Sequence, residues 1–268
     1  MAWNEFEKAC ENYLNNNYGD RAIFILEGGS NSNISDIAVE IDGRVMFYIE
    51  VKMGSAQSGQ FVVLPDVENE CFFFSPRNKS DENEFTRIIL SYINDNYDAF
   101  SNAGTAGEDI DVDKQCFSQW IINHYRNRGV KYIITYNNGF IIFPVEAYMN
   151  YFDISATMRN KGSGSSQLAK KNWSAISSYI GEEYNVSNTE YLIDGKKKRL
   201  LAYTNRLVDK EIFVVDSLTY QFSARDEDDE YEVRKLNRKT KNPTVVFRVH
   251  IKTKQEIPDL ELFEEELL

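Results

Sequence analysis

The segment that most constrains the fold is a pair of alternating stretches, "ISDIAVEI" and "VMFYIEVK", joined through Asp42-Gly43. Apolar side chains at every second position are typical of a strand with one buried face, and Asp-Gly is a strong signal for a hairpin turn. If the loop has an odd number of residues, Asp36 and Glu50 lie on the same face. The segment therefore predicts an antiparallel hairpin whose loop length decides which side chains meet.

Burial of the apolar stripes favours an odd loop. With such a loop the odd-numbered apolar residues of both strands, from Ile37 to Val51, share one face, whereas a two-residue loop would split both stripes. Each buried side chain of this kind contributes about 1.5–3 kcal/mol, so the odd loop is strongly favoured. The other face then carries Asp36, Glu50 and Lys52 together.

Two carboxylates and one ammonium at a single point form a set of groups suited to phosphodiester hydrolysis. Carboxylates can hold Mg²⁺, which lowers the pKa of a bound water and stabilises charge on phosphoryl oxygens. The lysine can orient or deprotonate that water and offset the developing negative charge. The alternative is that Glu50 and Lys52 form an exposed ion pair, which contributes about 0–1 kcal/mol.

The same residues resemble the PD-(D/E)XK nuclease superfamily, whose pattern is an acid, a variable gap and then acid-x-Lys. Here the pattern is Asp36 followed by Glu50-Val51-Lys52, with Ser35 where the name-giving proline would stand. The resemblance implies that Asp36, Glu50 and Lys52 are catalytic. It also implies that Asp36 and Glu50 bind Mg²⁺ and that Lys52 lies beside the attacking water.

Members of this superfamily often add further polar residues to the site. For an acid on the first helix, Glu7 is the first choice and Glu11 the second. For a polar residue on the helix that follows the lysine in some members, the candidates are Gln57 and Gln60.

The net charge of −12 argues against nucleic acid as a partner until its distribution is considered. Residues 1–155 hold 11 Lys and Arg against 23 Asp and Glu. Residues 156–255 hold 19 Lys and Arg against 13 Asp and Glu, a local net charge of +6. An acidic body with a basic segment favours a protein that meets phosphate on one side only.

The basic segment begins with "RNKGSGSSQLAKK". Ser165 or Ser166 is expected to cap a helix that begins near Gln167, and the N-terminus of such a helix can bind an anion. The run R-x-K-x-S-G-S is similar to the DNA-contacting segment of some type II restriction endonucleases. The similarity implies DNA contacts by Arg159, Lys161, Ser163, Ser165, Lys170 and Lys171. The alternative is a flexible linker.

The remaining elements predict an α/β fold: a restriction-endonuclease-like mixed β-sheet core flanked by helices, with a β-rich C-terminal extension. Helices are expected at 3–16, 55–61, 81–100 and 113–128, a hairpin around Asn137-Asn138-Gly139, and a charged connection over 224–242. The predicted domains are a nuclease core at 1–155 and a DNA-recognition extension at 156–268, which packs on the core. One continuous domain is the alternative.

Several classes of protein are excluded by composition. Two histidines are too few for His-rich zinc sites or for an HExxH protease, and neither a P-loop nor a GxSxG motif occurs. The three cysteines contain no CxxC pair, which predicts reduced thiols in a cytoplasmic protein. No secretory signal and no membrane-spanning run is recognised.

These observations predict a Mg²⁺-dependent, sequence-specific double-stranded DNA endonuclease of the type II restriction kind. A symmetric duplex target favours a homodimer, and the family resemblance implies a cognate DNA methyltransferase that protects host DNA. No membrane partner is expected. The alternatives are a structure-specific nuclease of the junction-resolvase or repair type, and a non-catalytic DNA-binding module of the same fold.

Overall fold

A computed structural model describes residues 3–27, 35–161, 165–194, 197–225, 229–236 and 242–268. The chain divides into two compact units. The first contains Met1–Asn160 together with Pro243–Leu268, and the second contains Lys161–Asn242. The last 26 residues thus belong with the nuclease core, and not with the extension where the sequence analysis placed them.

The helices of the described residues are α1 (Trp3–Tyr18), α2 (Glu84–Asp95), α3 (Tyr97–Ser101), α4 (Lys114–Arg126), α5 (Tyr148–Tyr151), α6 (Trp173–Tyr184) and α7 (Ile257–Glu266). The strands are β1 (Ile23–Leu26), β2 (Ile37–Ile41), β3 (Arg44–Val51), β4 (Ser55–Asp66), β5 (Cys71–Phe74), β6 (Glu108–Asp109), β7 (Val130–Tyr136), β8 (Phe140–Pro144), β9 (Phe152–Lys161), β10 (Ser165–Gln167), β11 (Asn188–Asp194), β12 (Lys197–Tyr203), β13 (Ile212–Val215), β14 (Leu218–Ala224), β15 (Glu230–Leu236) and β16 (Asn242–Ile251). Within these ranges no helix is both long and apolar enough to cross a membrane.

The first sheet has the strand order β1-β2-β3-β7-β8, and only its central pair, β3 and β7, is parallel. Its odd-numbered face on β2 and β3 packs against α1 and α7 in one core cluster. The opposite face of the sheet contributes Ile133 and Phe143 to a second cluster, which includes α4. Tyr48, on the second face of β3, also packs against this cluster, so the sheet is covered on both sides at that point.

The hairpin of β2 and β3 turns over two residues, so the predicted odd loop is wrong. Asp42 and Gly43 both have positive φ, 51° and 74°, as a tight hairpin turn requires. Ile41 pairs with Arg44, but Ile37 pairs with Ile49, because the register shifts by one residue between Val39 and Glu40. This bulge supplies the extra residue that the loop lacks. The predicted pairing of the apolar stripes is thus preserved beyond the bulge, where Ile37 pairs with Ile49 and Val39 with Phe47.

The second sheet of the first unit has the order β5-β4-β16-β9-β6. Its longest strand, β4, replaces the helix that the sequence analysis predicted at 55–61. Gly59 has a φ of +94°, and a Cβ at this position would lie 2.7 Å from the Trp120 ring, so this bend in β4 requires glycine. β4 pairs with β16, nearly 190 positions later in the chain, so no local pattern could identify the pairing.

The second unit is a sheet with the order β11-β12-β15-β14-β13, to which β10 adds by pairing with β15. Ile176 and Ile180 of α6 are buried in the core of this unit. Two predictions are wrong here. Residues 165–167 are a strand and α6 begins at Trp173, so Ser165 and Ser166 do not cap it. The charged connection contains a regular strand, β15.

The expected helix at 81–100 consists of two helices, because α2 ends at Asp95 and α3 begins at Tyr97. Asn83 caps α2, since its side chain accepts a hydrogen bond from the backbone of Thr86 at 2.9 Å. The hairpin around residues 137–139 is confirmed by the pairing of β7 with β8.

Candidate active site

The hairpin register brings Asp36 to the position opposite Glu50. Ile37 pairs with Ile49 in an antiparallel ladder, so the next pair along the ladder is Asp36 with Glu50. Asp36 lies just before β2, and its Oδ2 accepts a hydrogen bond of 2.8 Å from the backbone N–H of Val51. This bond fixes the carboxyl group of Asp36 against the end of β3.

Glu50 and Lys52 form a buried ion pair. Their side chains are only 7 % and 8 % exposed, and Lys52 Nζ donates to Glu50 Oε1 at 2.6 Å. The exposed ion pair considered as an alternative is therefore wrong. Burial opposes the charge of Lys52, but the charges of Glu50 and Asp36 outweigh it and raise the pKa of the lysine. Lys52 is thus an ammonium at neutral pH.

The second carboxylate oxygen of Glu50 is the feature that most clearly indicates a ligand. Oε2 is buried and has no hydrogen-bond partner, and NH1 of Arg128 lies 3.8 Å from it. A buried carboxylate oxygen in this condition is energetically costly unless something binds it. A divalent cation shared with Asp36 would satisfy it.

The pKa of Asp36 also indicates that a cation binds at this point. Burial, followed by the negative charge of Glu50, raises the pKa of Asp36 to about 7, although Lys52 acts in the opposite direction. Within the described ranges no three His, Cys, Asp or Glu side chains form a group able to hold a metal. A cation here would draw on two carboxylates and complete its shell with water or phosphate, as Mg²⁺ commonly does.

Helix α1 contributes Glu7, which is only 6 % exposed. Burial raises the pKa of Glu7, and the charges of Lys52 and Glu50 both act on it, which places this carboxyl group in the same electrostatic environment. The side chain of Trp3, one helical turn earlier, acts to lower that pKa. Glu11 instead accepts a hydrogen bond from the Leu26 backbone, so of the two candidates on α1 only Glu7 lies in this environment.

Lys52 is held between two aromatic rings. Its Nζ lies 5.4 Å from the centroid of Trp3 and 5.5 Å from the centroid of Tyr125, within the range of a cation–π interaction. Tyr125 is itself fixed, because its hydroxyl is 2.8 Å from Ser58 Oγ, which is also 2.6 Å from the Tyr148 hydroxyl. No local pattern could identify Tyr125 and Tyr148 as partners, because both are distant from β3 in the chain.

Glu50 and Lys52 open into a cleft of about 400 Å³. Gln57 and Gln60 both line it, and the two amides are hydrogen-bonded to each other at 3.0 Å. His124 lines the cleft as well; burial and then the charge of Arg128 lower its pKa to about 4, so the imidazole is neutral at working pH. The cleft thus combines neutral hydrogen-bonding groups with the candidate catalytic pair.

The predicted DNA-contacting residues lie in several elements. Arg159 is on β9 in the first unit, where its Nε is buried without a hydrogen-bond partner. Ser165 pairs with Leu236 at the end of β10. Lys170 and Lys171 form a short 3₁₀ turn before α6, with Lys170 Nζ 5.9 Å from the Tyr191 ring. Ser163 and the side chain of Lys161 lie outside the described residues.

Comparison with solved structures gives a full-length match. The chain is similar to HhaI endonuclease, solved in complex with DNA, with 31 % sequence identity and a TM-score of 0.81. The alignment covers 100 % of this chain and 99 % of that chain. No protein-family model matches the sequence, and comparison with the curated proteins finds no significant match. The structural likeness confirms the predicted fold class.

Proposed function

This chain belongs to the family of HhaI endonuclease, a type II restriction enzyme, and from that premise we propose that it cuts double-stranded DNA at a specific sequence, with Asp36, Glu50 and Lys52 as its catalytic residues. The family confirms the predicted enzyme class, a type II restriction endonuclease. The observation that carries the catalytic assignment is the buried oxygen Oε2 of Glu50, which lacks a hydrogen-bond partner.

We assign Mg²⁺ binding to Asp36 and Glu50. The unpartnered oxygen of Glu50 and the raised pKa of Asp36 both fit a cation between the two carboxylates. When bound, such an ion supplies positive charge that activates water and stabilises the phosphoryl oxygens. Glu7 is buried beside the same groups and can accept a hydrogen bond from a water in the cation's shell.

Lys52 acts as an ammonium in this proposal. Its raised pKa and its 2.6 Å hydrogen bond to Glu50 keep it protonated and fixed. A fixed ammonium at the cleft can orient the attacking water and offset the charge that develops on the phosphate. The two aromatic rings around Lys52 restrict its position without competing for its protons.

DNA contacts outside the catalytic group are assigned to Arg159, Lys161, Ser163, Ser165, Lys170 and Lys171. Most of these belong to the second unit, which also contains the runs "GKKKR" and "RKLNRKTK". We propose that this unit contributes to DNA binding, since neutralisation of phosphates by Lys and Arg provides a large share of the affinity for a duplex. The homodimer and the cognate methyltransferase stay predictions; sedimentation equilibrium with and without DNA tests the first.

Cleavage of DNA tests the proposal directly. Purified protein is incubated with a long, unmethylated bacteriophage DNA and Mg²⁺, beside the Lys52→Ala variant, and the products are separated on a gel. We expect discrete fragments from the wild-type protein and intact DNA from the variant. Fragments from both proteins would contradict the role of Lys52, and a smear from the wild type would contradict sequence specificity.

A further inference from the structure

We propose that the loop at residues 75–80 is a second phosphate-binding site, at which Arg77 and Lys79 hold the DNA backbone next to the bond that is cut. The inference rests on the proposed nuclease function and assigns a substrate-binding role to two residues outside the catalytic group. Both side chains are exposed, and both line the cleft that contains Glu50 and Lys52.

The charge of the cleft is opposite to that of the region around it. Among the described residues that line it, Lys52, Arg77, Lys79 and Arg128 are cationic, and Glu50 is the single acid. Residues 1–155, which contain all of these, hold 11 Lys and Arg against 23 Asp and Glu. A local excess of positive charge within an acidic unit focuses the potential on one place and favours an anionic ligand there.

The loop is fixed to the sheet by Asn78. The side-chain oxygen of Asn78 accepts a hydrogen bond from the Val62 backbone N–H at 2.8 Å, and its amide group donates to the Val62 carbonyl at 2.8 Å. The Ser75 backbone N–H also donates to that carbonyl, at 3.1 Å. Asn78 thus binds β4 as a neighbouring strand would, although it lies in a loop.

This arrangement positions the two cations in advance. Arg77 and Lys79 flank Asn78 directly in the chain, so the two hydrogen bonds to Val62 restrict the backbone from which both side chains extend. A loop that is ordered before DNA arrives loses less conformational entropy when it binds. Gln57, Gln60 and His124 line the same cleft and provide neutral groups for hydrogen bonds to the strand.

The chemistry of the ligand follows from these groups. Two cations on a fixed loop, close to a predicted Mg²⁺ site, suit the repeated negative charges of a nucleic acid backbone. Arg and Lys neutralise phosphate without reading sequence. The site therefore contributes affinity and places the strand for cleavage, and sequence discrimination is assigned elsewhere.

The experiment measures how DNA binding depends on salt. Arg77→Gln, Lys79→Gln and the double variant are compared with Arg87→Gln, a matched control on the exposed face of α2. The probe is a fragment of unmethylated bacteriophage DNA that contains one mapped cleavage site, with Ca²⁺ in place of Mg²⁺ to prevent cutting. Each lost phosphate contact should reduce the slope of log K against log[salt] by about 0.9.

In the double variant we expect the slope to fall by about twice the amount expected for one contact, and the affinity for DNA to fall roughly tenfold or more. Arg87→Gln should bind as the wild type does. Asn78→Ala keeps both charges but releases the loop, and should slow single-turnover cleavage more than it changes the slope. An unchanged slope in the double variant of an enzyme that cuts DNA would overturn this inference alone. Intact DNA with the wild type would overturn the proposed function itself.

Discussion

Two strands of the molecule contain the same short pattern and differ in everything around it. β3 ends in Glu50-Val51, which Lys52 follows directly, and β15 contains Glu232-Val233-Arg234. Both glutamates are 5 % exposed. Asp36, just before β2, is the residue that the antiparallel register places across from Glu50. The partners of Glu232 in its two neighbouring strands are Leu201 and Ser223.

The cations differ as well. Lys52 contacts Glu50 at 2.6 Å and has aromatic rings on two sides, while Glu232 has Arg199 at 3.8 Å. Glu50 keeps a buried oxygen without a hydrogen-bond partner and opens into a cleft. The comparison teaches that a buried Glu-x-cation pattern becomes a candidate active site only when a second acid and an open cavity accompany it.

The largest expected difference between the two patterns is in cleavage. Lys52→Ala removes the ammonium beside the proposed metal ligands and should slow single-turnover cleavage by about 10²–10³-fold or more, with DNA binding in Ca²⁺ largely retained. Arg234→Ala, the corresponding change on β15, should slow cleavage at saturating DNA by less than about tenfold. Equal losses in the two variants would remove the distinction between the strands.

The second largest expected difference between Glu50 and Glu232 is in metal binding. Glu50→Gln is expected to abolish the rise in melting temperature that Mg²⁺ or Mn²⁺ produces, because it removes one of the two ligands. Glu232→Gln should keep that rise. At a metal concentration 100 times Kd the wild-type stabilisation is about 2.7 kcal/mol, which differential scanning calorimetry resolves. A metal response that survives in Glu50→Gln would contradict the ligand assignment.

Protonation of His124 should oppose folding as the pH falls. Burial and the charge of Arg128 lower the pKa of His124 from 6.5 to about 4, so the folded protein binds fewer protons than the unfolded chain between these values. The contribution of His124 to stability is therefore complete above pH 6.5 and is lost as the pH falls toward 4, by about 3 kcal/mol. The raised pKa of Asp36 acts in the opposite direction over the same pH range, so the contribution of His124 is read from the difference between the wild type and a His124 variant.

His124→Phe, which keeps the ring stacked on Trp120, should reduce this loss in urea titrations. His250→Phe, at an exposed position of β16, is the matched control. If both variants lose stability over this pH range as the wild type does, His124 is not the cause.

The smallest effect is expected at the aromatic ring above Lys52. Trp3→Leu removes the cation–π contact and should slow cleavage by about three- to tenfold, whereas Trp3→Phe keeps a ring and should recover most of the rate. The measurement is single-turnover cleavage beside the melting temperature of each variant. If the two variants are equally slow, the ring of Trp3 does not position the lysine.

The sequence predicted the hairpin and its charged face because these depend on local alternation and on burial. Asp36, Glu50 and Lys52 were placed on one face correctly, but the loop length was wrong because the bulge beside Val39 restores the register that a two-residue turn would lose. A bulge leaves no clear signal in a single sequence. The wrong loop length and the missed bulge each shift the register by one residue, in opposite directions. Asp36 therefore lies on the same face as Glu50, as predicted.

The rest of the site depends on contacts between distant segments. β4 was mistaken for a helix because Gly59 interrupts its alternation: Ser58 is buried, and the next buried positions are Phe61 and Val63. Tyr125, like His124 and Arg128, reaches the cleft only through the packing of α4 between the two sheets. Only the folded chain could identify these residues.

The return of the chain from the second unit has a consequence for biosynthesis. β16 lies between β4 and β9 in the second sheet, and α7 places Phe263 against α1. Every proposed catalytic residue precedes position 53, yet a nascent chain that stops at residue 242 lacks both of these elements. The catalytic unit cannot close its core until the ribosome has passed about residue 267, so incomplete chains should be inert toward the DNA of the cell that makes them.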